Sequence, residues 1–331
     1  MTVEYPNAHC VLILAGGGGH SMYAKNLARE LVKLNLGVDF LVAEGENFED
    51  NYSTLGLVQG AICKPRRPRD DNPFKILWGG IKALFQSFKY VNKNYSAVIS
   101  CGSNFALAPC LWAKLKGIPI VNIESPVRFR KASKTAKILE AHSAITALHW
   151  VEQLEIIKSG IVFGPILPEK PEFNRDGGHL FVTVGTHGYI ALIGSALGLA
   201  DKKVILQTGI SARNYKASIP DKWEVYEFLP HETMLQYIRE AYCVVTHFGT
   251  TALEAYVHKV PVVMVVNQVW KHGATRDDAE KLGEKLGFIV FKYCPSTLEL
   301  SNAMSRISLI KRPVYKDGTK NLAEAIQELV I

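Results

Sequence analysis

The stretch Cys10-Val11-Leu12-Ile13-Leu14-Ala15-Gly16-Gly17-Gly18-Gly19-His20-Ser21 decides the fold. Its first half is an unbroken apolar run, the pattern of a strand buried on both faces of a parallel sheet. The four glycines let the backbone turn tightly and approach a ligand closely. The helix pattern that follows, Met22 to Leu34, offers unpaired N–H groups and a positive dipole end. Strand, glycine loop and helix together predict an anion cradle, with the imidazole of His20 where chemistry beside a bound phosphate would occur.

Reading outward, Tyr23, Leu27, Leu31 and Leu34 fall on one helical face, and Val38 to Ala43 reads as a second buried strand. This β-loop-α-β unit opens a doubly wound α/β sheet. Glu44 follows the second strand, where a dinucleotide fold places its ribose-binding acid. Ser21, however, stands where the third glycine of G-x-G-x-x-G belongs, so the fingerprint is incomplete.

Next comes a proline-broken basic loop, Lys64-Pro65-Arg66-Arg67-Pro68-Arg69, and then Phe74 to Val91. There Lys75, Lys82 and Lys89 recur every seven residues beside Phe74, Ile76, Leu77, Trp78, Ile81, Leu84, Phe85 and Phe88. Two readings are open: a core helix with its lysines in water, or an amphipathic helix docking on an anionic membrane surface through Arg66, Arg67, Lys75, Trp78, Lys82, Phe85 and Lys89.

A strand from Ala97 to Ser100 ends in Cys101-Gly102-Ser103-Asn104, and Phe105 to Lys116 reads as its helix. The next strand, Ile118 to Glu124, puts Glu124 at a carboxyl end, where open α/β sheets bind ligands. Arg128, Arg130 and Lys131 follow, so Glu124 reads as a functional acid or as a structural partner of an arginine. Ser143 to Thr146 is a last short strand of this half. The polar, glycine-containing stretch from Asn174 to Gly178 marks the boundary, giving domains over 1–168 and 169–331.

The second half repeats the architecture. Leu180 to Val184 opens onto Gly185-Thr186-His187-Gly188; Lys203 to Gln207 and Glu224 to Phe228 are strands. Tyr242 to Thr246 runs into His247-Phe248-Gly249-Thr250-Thr251 and a helix from Ala252 to Val257. Val260 to Val266 is a strand ending at Asn267, and Asn321 to Val330 reads as a closing helix, with packing back on the first domain considered for it. Two such halves, each with a loop-helix anion site, predict a cleft between two Rossmann-like domains.

Composition narrows the class. At 331 residues, 48% hydrophobic and 21% charged, the chain is globular and long enough for two domains. The segment Met1 to His9 lacks a basic region followed by an apolar core, and no apolar run approaches the roughly 20 residues that span a bilayer, so a cytoplasmic location is expected. Six scattered cysteines without C-x-x-C spacing read as small hydrophobes, neither a zinc site nor a disulfide framework. Net charge is +7, and residues 51–150 carry 15 Lys and Arg against 4 Asp and Glu. A basic first half meets a polyanion, an anionic membrane or nucleic acid; no nucleic-acid recognition motif accompanies it.

GGGGHS at 16–21, the strand-end acid in NIESP at 122–126, VTVGTH at 182–187 and THFGTTALEA at 246–255 resemble, in that order, the GT-B UDP-GlcNAc transferases. These include bacterial MurG and the eukaryotic two-subunit enzyme that adds the second GlcNAc to dolichyl-pyrophosphate-GlcNAc, here with both subunits fused. The resemblance implies a GT-B fold, two Rossmann-like doubly wound domains facing a cleft, the first binding a lipid-pyrophosphate acceptor and the second UDP-GlcNAc. Gly16, Gly17, Gly18, Gly19, Ser21, Gly102 and Asn104 then belong to the acceptor's pyrophosphate. Of His20 and Glu124, one acts as general base and the other orients the acceptor or stabilises charge; His20 is favoured because its ordinary pKa suits proton removal near neutrality.

The implied donor set is Gly185, Thr186, His187, Phe228, Leu229, His247, Gly249, Thr250, Thr251, Glu254 and Asn267. Within it Glu254 takes the ribose hydroxyls and Phe228 and Leu229 the uracil. Where relatives carry a Gln or His-Gln segment against the donor sugar, this chain has Lys271-His272-Gly273-Ala274-Thr275-Arg276-Asp277-Asp278. Either His272 and Asp277 take over those contacts or another UDP-sugar is used. No metal or other cofactor is expected, because loop N–H groups meet the charge of the departing UDP. The implied activity is inverting transfer of GlcNAc to a lipid-pyrophosphate-linked GlcNAc at the cytoplasmic membrane face, giving a β-1,4-linked chitobiose for N-glycan precursors. The alternatives are a UDP-GlcNAc 2-epimerase and a non-catalytic sugar-nucleotide-binding subunit.

Overall fold

The computed structural model describes residues 9–16, 19–45, 52, 54–65, 72–92, 94–167, 178–185, 188–199, 201–209, 219–268, 274–307 and 309–331. The chain divides into two compact units, Met1–Leu167 with Tyr315–Ile331, and Pro168–Val314. Residues 315–331, grouped above with the second domain, therefore belong to the first unit.

In the first unit, strands β1 (Cys10–Ala15), β2 (Gly37–Ala43), β3 (Leu57–Ile62), β4 (Tyr95–Ser100), β5 (Ile120–Ile123), β6 (Ile145–Leu148) and β7 (Ile161–Val162) form one sheet. Their order is β3-β2-β1-β4-β5-β6-β7, and every neighbouring pair is parallel. Val11 to Ala15 are buried throughout, as a strand covered on both faces requires. Helix α1 (Gly19–Lys33) begins inside the glycine run, earlier than its apolar periodicity indicates, because glycine carries no pattern to read. It buries Tyr23, Leu27 and Leu31.

Helix α2 (Pro73–Tyr90) starts at Asn72, whose side chain accepts from the Phe74 N–H at 2.9 Å, with proline at its first position. Its orientation inverts the usual rule. The buried stripe is Gly79, Ala83 and Ser87, spaced by four, whereas Phe74, Trp78 and Phe85 are 82%, 70% and 74% exposed. Small side chains bring the helix close to its neighbours, and Ser87 Oγ satisfies itself by donating to the Ala83 carbonyl at 2.6 Å. Lys75, Lys82 and Lys89 are exposed, as both readings of this helix expect; it is the exposure of Phe74, Trp78 and Phe85 that departs from the core-packed reading.

Helices α3 (Leu107–Leu115) and α4 (Lys134–Leu139) complete the crossovers between β4, β5 and β6. A one-turn 3-10 segment, Asn104–Ala106, precedes α3. The chain's last helix, here numbered α10 (Thr319–Val330), lies along α1. Asp317 Oδ1 accepts from the N–H groups of both Leu167 (3.3 Å) and Thr319 (2.9 Å), and Asn26 Nδ2 donates to the Leu167 carbonyl at 2.8 Å. Leu167 is thus tied both to Asp317, ahead of α10, and to α1.

The second unit has β8 (His179–Thr183), β9 (Val204–Gln207), β10 (Glu224–Tyr226), β11 (Ala241–His247), β12 (Val262–Val265) and β13 (Ile289–Phe291), in the order β10-β9-β8-β11-β12-β13 and again all parallel. Helices α5 (Ile190–Leu197), α6 (His231–Glu240), α7 (Thr251–Val257), α8 (Arg276–Leu286) and α9 (Thr297–Ile307) surround it. A capping box starts α8: the Asp278 N–H donates to Thr275 Oγ1 at 3.1 Å, and the Thr275 N–H returns to Asp278 Oδ2 at 2.5 Å. Gly287 stops it in the left-handed region, φ 70°. In each unit the strand order reverses between two central neighbours, β1 and β4 or β8 and β11. Open α/β sheets bind their ligands at the carboxyl ends of the strands at such a reversal.

No helix among the described residues is long and apolar enough to cross a membrane. The described cysteines are free thiols, and burial pushes those of Cys10, which also faces Asp39, and Cys101 up to about 12, in keeping with their reading as small hydrophobes.

Candidate active site

The first unit gathers its candidate groups at the β1/β4 reversal. His20 is the second residue of α1, and its Nδ1 lies 2.7 Å from the Cys101 carbonyl oxygen. A carbonyl only accepts, so Nδ1 carries the proton, and in the neutral ring the lone pair sits on Nε2. Gly102 makes this seat possible. Its φ is +85°, and a Cβ built there would come within 3.1 Å of both Cε1 and Nδ1 of His20. Gly16 is buried against the same loop, where an added Cβ would meet the Ser103 Cβ at 3.0 Å.

Two further bonds draw the start of the basic loop to this point. Lys64 Nζ donates to the Gly16 carbonyl, and Asn104 Nδ2 donates to the Pro65 carbonyl at 2.6 Å. Gly19 and Ser21 lie in the first turn of α1. Gly17, Gly18, Arg66 and Arg67 lie outside the described residues.

Glu124 follows β5 and is buried. Its Oε1 accepts from the Ser125 N–H and its Oε2 from the Ser133 N–H, both at 2.7 Å, closing the loop that carries Arg128, Arg130 and Lys131. Burial pushes the carboxyl above its ordinary range, opposed by those two N–H donors and by the Arg128 charge. The Glu124 carbonyl in turn accepts from His149 Nε2 at 2.7 Å, while the Ile166 N–H donates to His149 Nδ1 at 3.1 Å. His149, which the sequence reading passed over, is thus a buried brace joining Glu124, just after β5, to Ile166; desolvation pulls its pKa down to about 4. A histidine in an apolar strand carries no signal that separates brace from ligand.

Glu44 is taken up in contacts with α2. Lys82 and Gln86 of α2 donate to its two oxygens at 3.1 and 2.7 Å, and these bonds lower its pKa.

The second unit repeats the pattern at the β8/β11 reversal. His247 ends β11, and Gly185, φ +72°, ends the run after β8. A Cβ on Gly185 would approach His247 Cε1 to 2.3 Å, and one on Gly249 would lie 3.2 Å from Nε2. Thr250 and Thr251 lead into α7, whose first turn carries the buried Glu254. Glu254 Oε1 accepts from His231 Nε2 at 3.0 Å. His231 opens α6 directly after Phe228, Leu229 and Pro230, with Phe228 exposed and Leu229 half-buried. The sequence reading did not single out His231, because its partner lies 23 residues away on another helix.

Asn267, at the end of β12, donates to the Gly188 carbonyl at 3.2 Å and so bridges two of the candidate loops. Asp277 is exposed on α8 and pairs with Lys292 at 3.7 Å. Thr186, His187 and His272 lie outside the described residues. Among the described residues no group of three or more His, Cys, Asp or Glu is placed to hold a metal ion.

Residues 179–329 match the glycosyltransferase family 28 C-terminal domain. A curated relative is 31% identical over 128 residues: UDP-N-acetylglucosamine–N-acetylmuramyl-(pentapeptide) pyrophosphoryl-undecaprenol N-acetylglucosamine transferase of Protochlamydia amoebophila. The match spans 37% of this chain and about a third, 34%, of that protein's length. Among solved structures, MurG of Acinetobacter baumannii superposes with a TM-score of 0.64 at 18% identity, covering 97% of this chain and 99% of that one. The glycotransferase of kitacinnamycin gives 0.68 at 13% identity over 98% and 100%. A UDP-GlcNAc 2-epimerase of Methanocaldococcus jannaschii gives 0.66 at 14% over 96% and 99%, so the backbone alone does not separate transferase from epimerase. The chain has the GT-B fold of two Rossmann-like parallel-sheet units, and from β8 to its last helix it matches a family 28 glycosyltransferase domain.

Proposed function

We propose that this protein is an inverting, MurG-like glycosyltransferase that moves GlcNAc from UDP-GlcNAc to a lipid-pyrophosphate-linked GlcNAc, making a β-1,4-linked chitobiose for N-glycan precursors at the cytoplasmic membrane face. The observation that carries this reading is the seat of His20, whose Nδ1 donates to Cys101 and whose Nε2 therefore bears the lone pair of a base. The family 28 match supports the transferase class over the epimerase. The pyrophosphoryl-polyprenol named for the Protochlamydia relative supports the acceptor class.

The acceptor pyrophosphate takes the N–H groups at the start of α1, with Gly102 and Asn104 beside it and a basic loop adjoining. His20 Nε2 removes the proton of the acceptor hydroxyl as that oxygen attacks the anomeric carbon. The bond from that carbon to the UDP oxygen breaks on the opposite face, turning an α-linked donor into a β-linked product. UDP departs with the bonding pair, and its added charge falls on loop N–H groups around Gly185 and Gly249 rather than on a metal ion. The proton on His20 then passes to solvent. Glu124 acts one step back, fixing the loop of Arg128 and Arg130.

The test is a radiolabelled assay with UDP-GlcNAc and synthetic phytanyl- or dolichyl-pyrophosphate-GlcNAc, followed by linkage analysis. UDP release that depends on the acceptor, with a β-1,4 product, is expected. His20→Ala abolishes transfer and leaves UDP binding intact. UDP-ManNAc formed from UDP-GlcNAc alone would replace this reading with the epimerase.

A further inference from the structure

We infer that His231 is a positioning residue for nucleotide recognition, fixing Glu254 so that one carboxylate oxygen faces the ribose of a bound uridine nucleotide; this rests on the donor-site reading above. Glu254 is buried, and Oε1 is occupied by the His231 Nε2 proton at 3.0 Å. No hydrogen bond from the described residues engages Oε2. A carboxylate held at one oxygen by a neighbouring imidazole presents the other in a preferred direction, as recognition of a sugar hydroxyl requires.

The chain path adds a second reason. His231 is three residues after Phe228 and two after Leu229, and it begins α6, which packs on α7. The imidazole thus couples the segment assigned to the base with the acid assigned to the ribose. Glu232 approaches His231 Nδ1 only at 3.9 Å and is itself 81% exposed, so the buried carboxylate is the better partner. Without the imidazole, the Glu254 side chain gains rotamers, and its oxygen no longer meets the hydroxyl at one geometry.

The experiment titrates the full chain with UDP and with 2′-deoxy-UDP, in wild type, His231→Ala, His231→Gln and Glu254→Gln. One hydrogen bond to a charged acceptor predicts that wild type prefers UDP by roughly tenfold. His231→Ala reduces that preference to within about twofold while affinity for 2′-deoxy-UDP holds. His231→Gln, which keeps an N–H donor, restores part of it. In the transfer assay His231→Ala raises the donor KM and spares kcat. Full discrimination in His231→Ala, or equal loss of both nucleotides there and in His231→Gln, overturns the inference alone. Wild type that binds neither nucleotide overturns the donor-site reading and this inference with it.

Discussion

The imidazole of His20 occupies the space that a side chain on Gly102 would need, with Cε1 and Nδ1 both 3.1 Å from the position of an added Cβ. Gly102→Ala therefore acts twice. It places a Cβ at φ +85°, at a cost of about 1–2 kcal/mol, and it pushes His20 off the Cys101 carbonyl. Transfer is expected to fall by more than tenfold, with UDP affinity unchanged within twofold. Thermal unfolding, transfer kinetics and nucleotide titration on one preparation check all three.

Gly185 stands to His247 as Gly102 stands to His20, and the approach is tighter, 2.3 Å to Cε1. Gly185→Ala is expected to weaken UDP binding by at least tenfold. Calorimetric titration with UDP measures this, and Gly185→Ala binding UDP as wild type does would remove His247 from the donor site. The two glycine variants should thus separate, one losing turnover and the other losing nucleotide.

Much of this was legible in the sequence, for a physical reason. Central parallel strands are apolar on both faces, so Val11 to Ala15, Leu180 to Thr183 and Val262 to Val265 announce themselves, and the loops after them carry Gly16, Gly185 and Asn267. Short edge strands such as Leu57–Ile62 and Ile289–Phe291 are half exposed, and their mixed pattern gives no comparable signal. The aromatic residues of α2 were visible, but not their direction, because the small stripe Gly79, Ala83 and Ser87 decides which side is buried. Pairings across distance, Glu124 with Ser133 or His231 with Glu254, depend on the closed fold and have no local pattern.

Glu124 accepts two backbone N–H bonds, one per oxygen, so Glu124→Gln turns an amide N–H₂ toward one of those donors. The loop of Arg128 and Arg130 must rearrange. The acceptor KM is expected to rise at least fivefold while the pH dependence of kcat keeps its shape. A proton-transfer role for Glu124 would instead remove one limb of the pH profile.

His149 sets a pH dependence of stability. Its folded pKa is about 4 against an ordinary value of 6.5. Between those values the unfolded chain binds the proton and the folded chain does not, so stability is complete above about pH 6.5 and falls as pH drops toward 4. The span corresponds to about 3 kcal/mol for this fully buried ring. Urea unfolding at pH 7.5, 5.5 and 4 should show the loss. His149→Gln, less stable at every pH, should show a flatter slope over that window.

The exposed face of α2 gives the last test. Trp78 and Phe85 are 70% and 74% exposed, flanked by the exposed Lys75, so a membrane surface with anionic headgroups matches both chemistries. Trp78→Glu and Phe85→Glu are each expected to lower sedimentation with phosphatidylglycerol vesicles by at least tenfold. The fold should be unaffected, because neither side chain is buried. The lysines should not be equivalent. Lys82 already lies 3.1 Å from Glu44, whose pKa is lowered by Gln86 and Lys82, so its charge is partly neutralised. Lys89→Glu should therefore weaken vesicle binding more than Lys82→Glu, and the gap should close as salt screens the headgroups. Equal binding of wild type and Trp78→Glu to anionic and neutral vesicles would remove the membrane from the proposed function while leaving the chemistry at His20 in place.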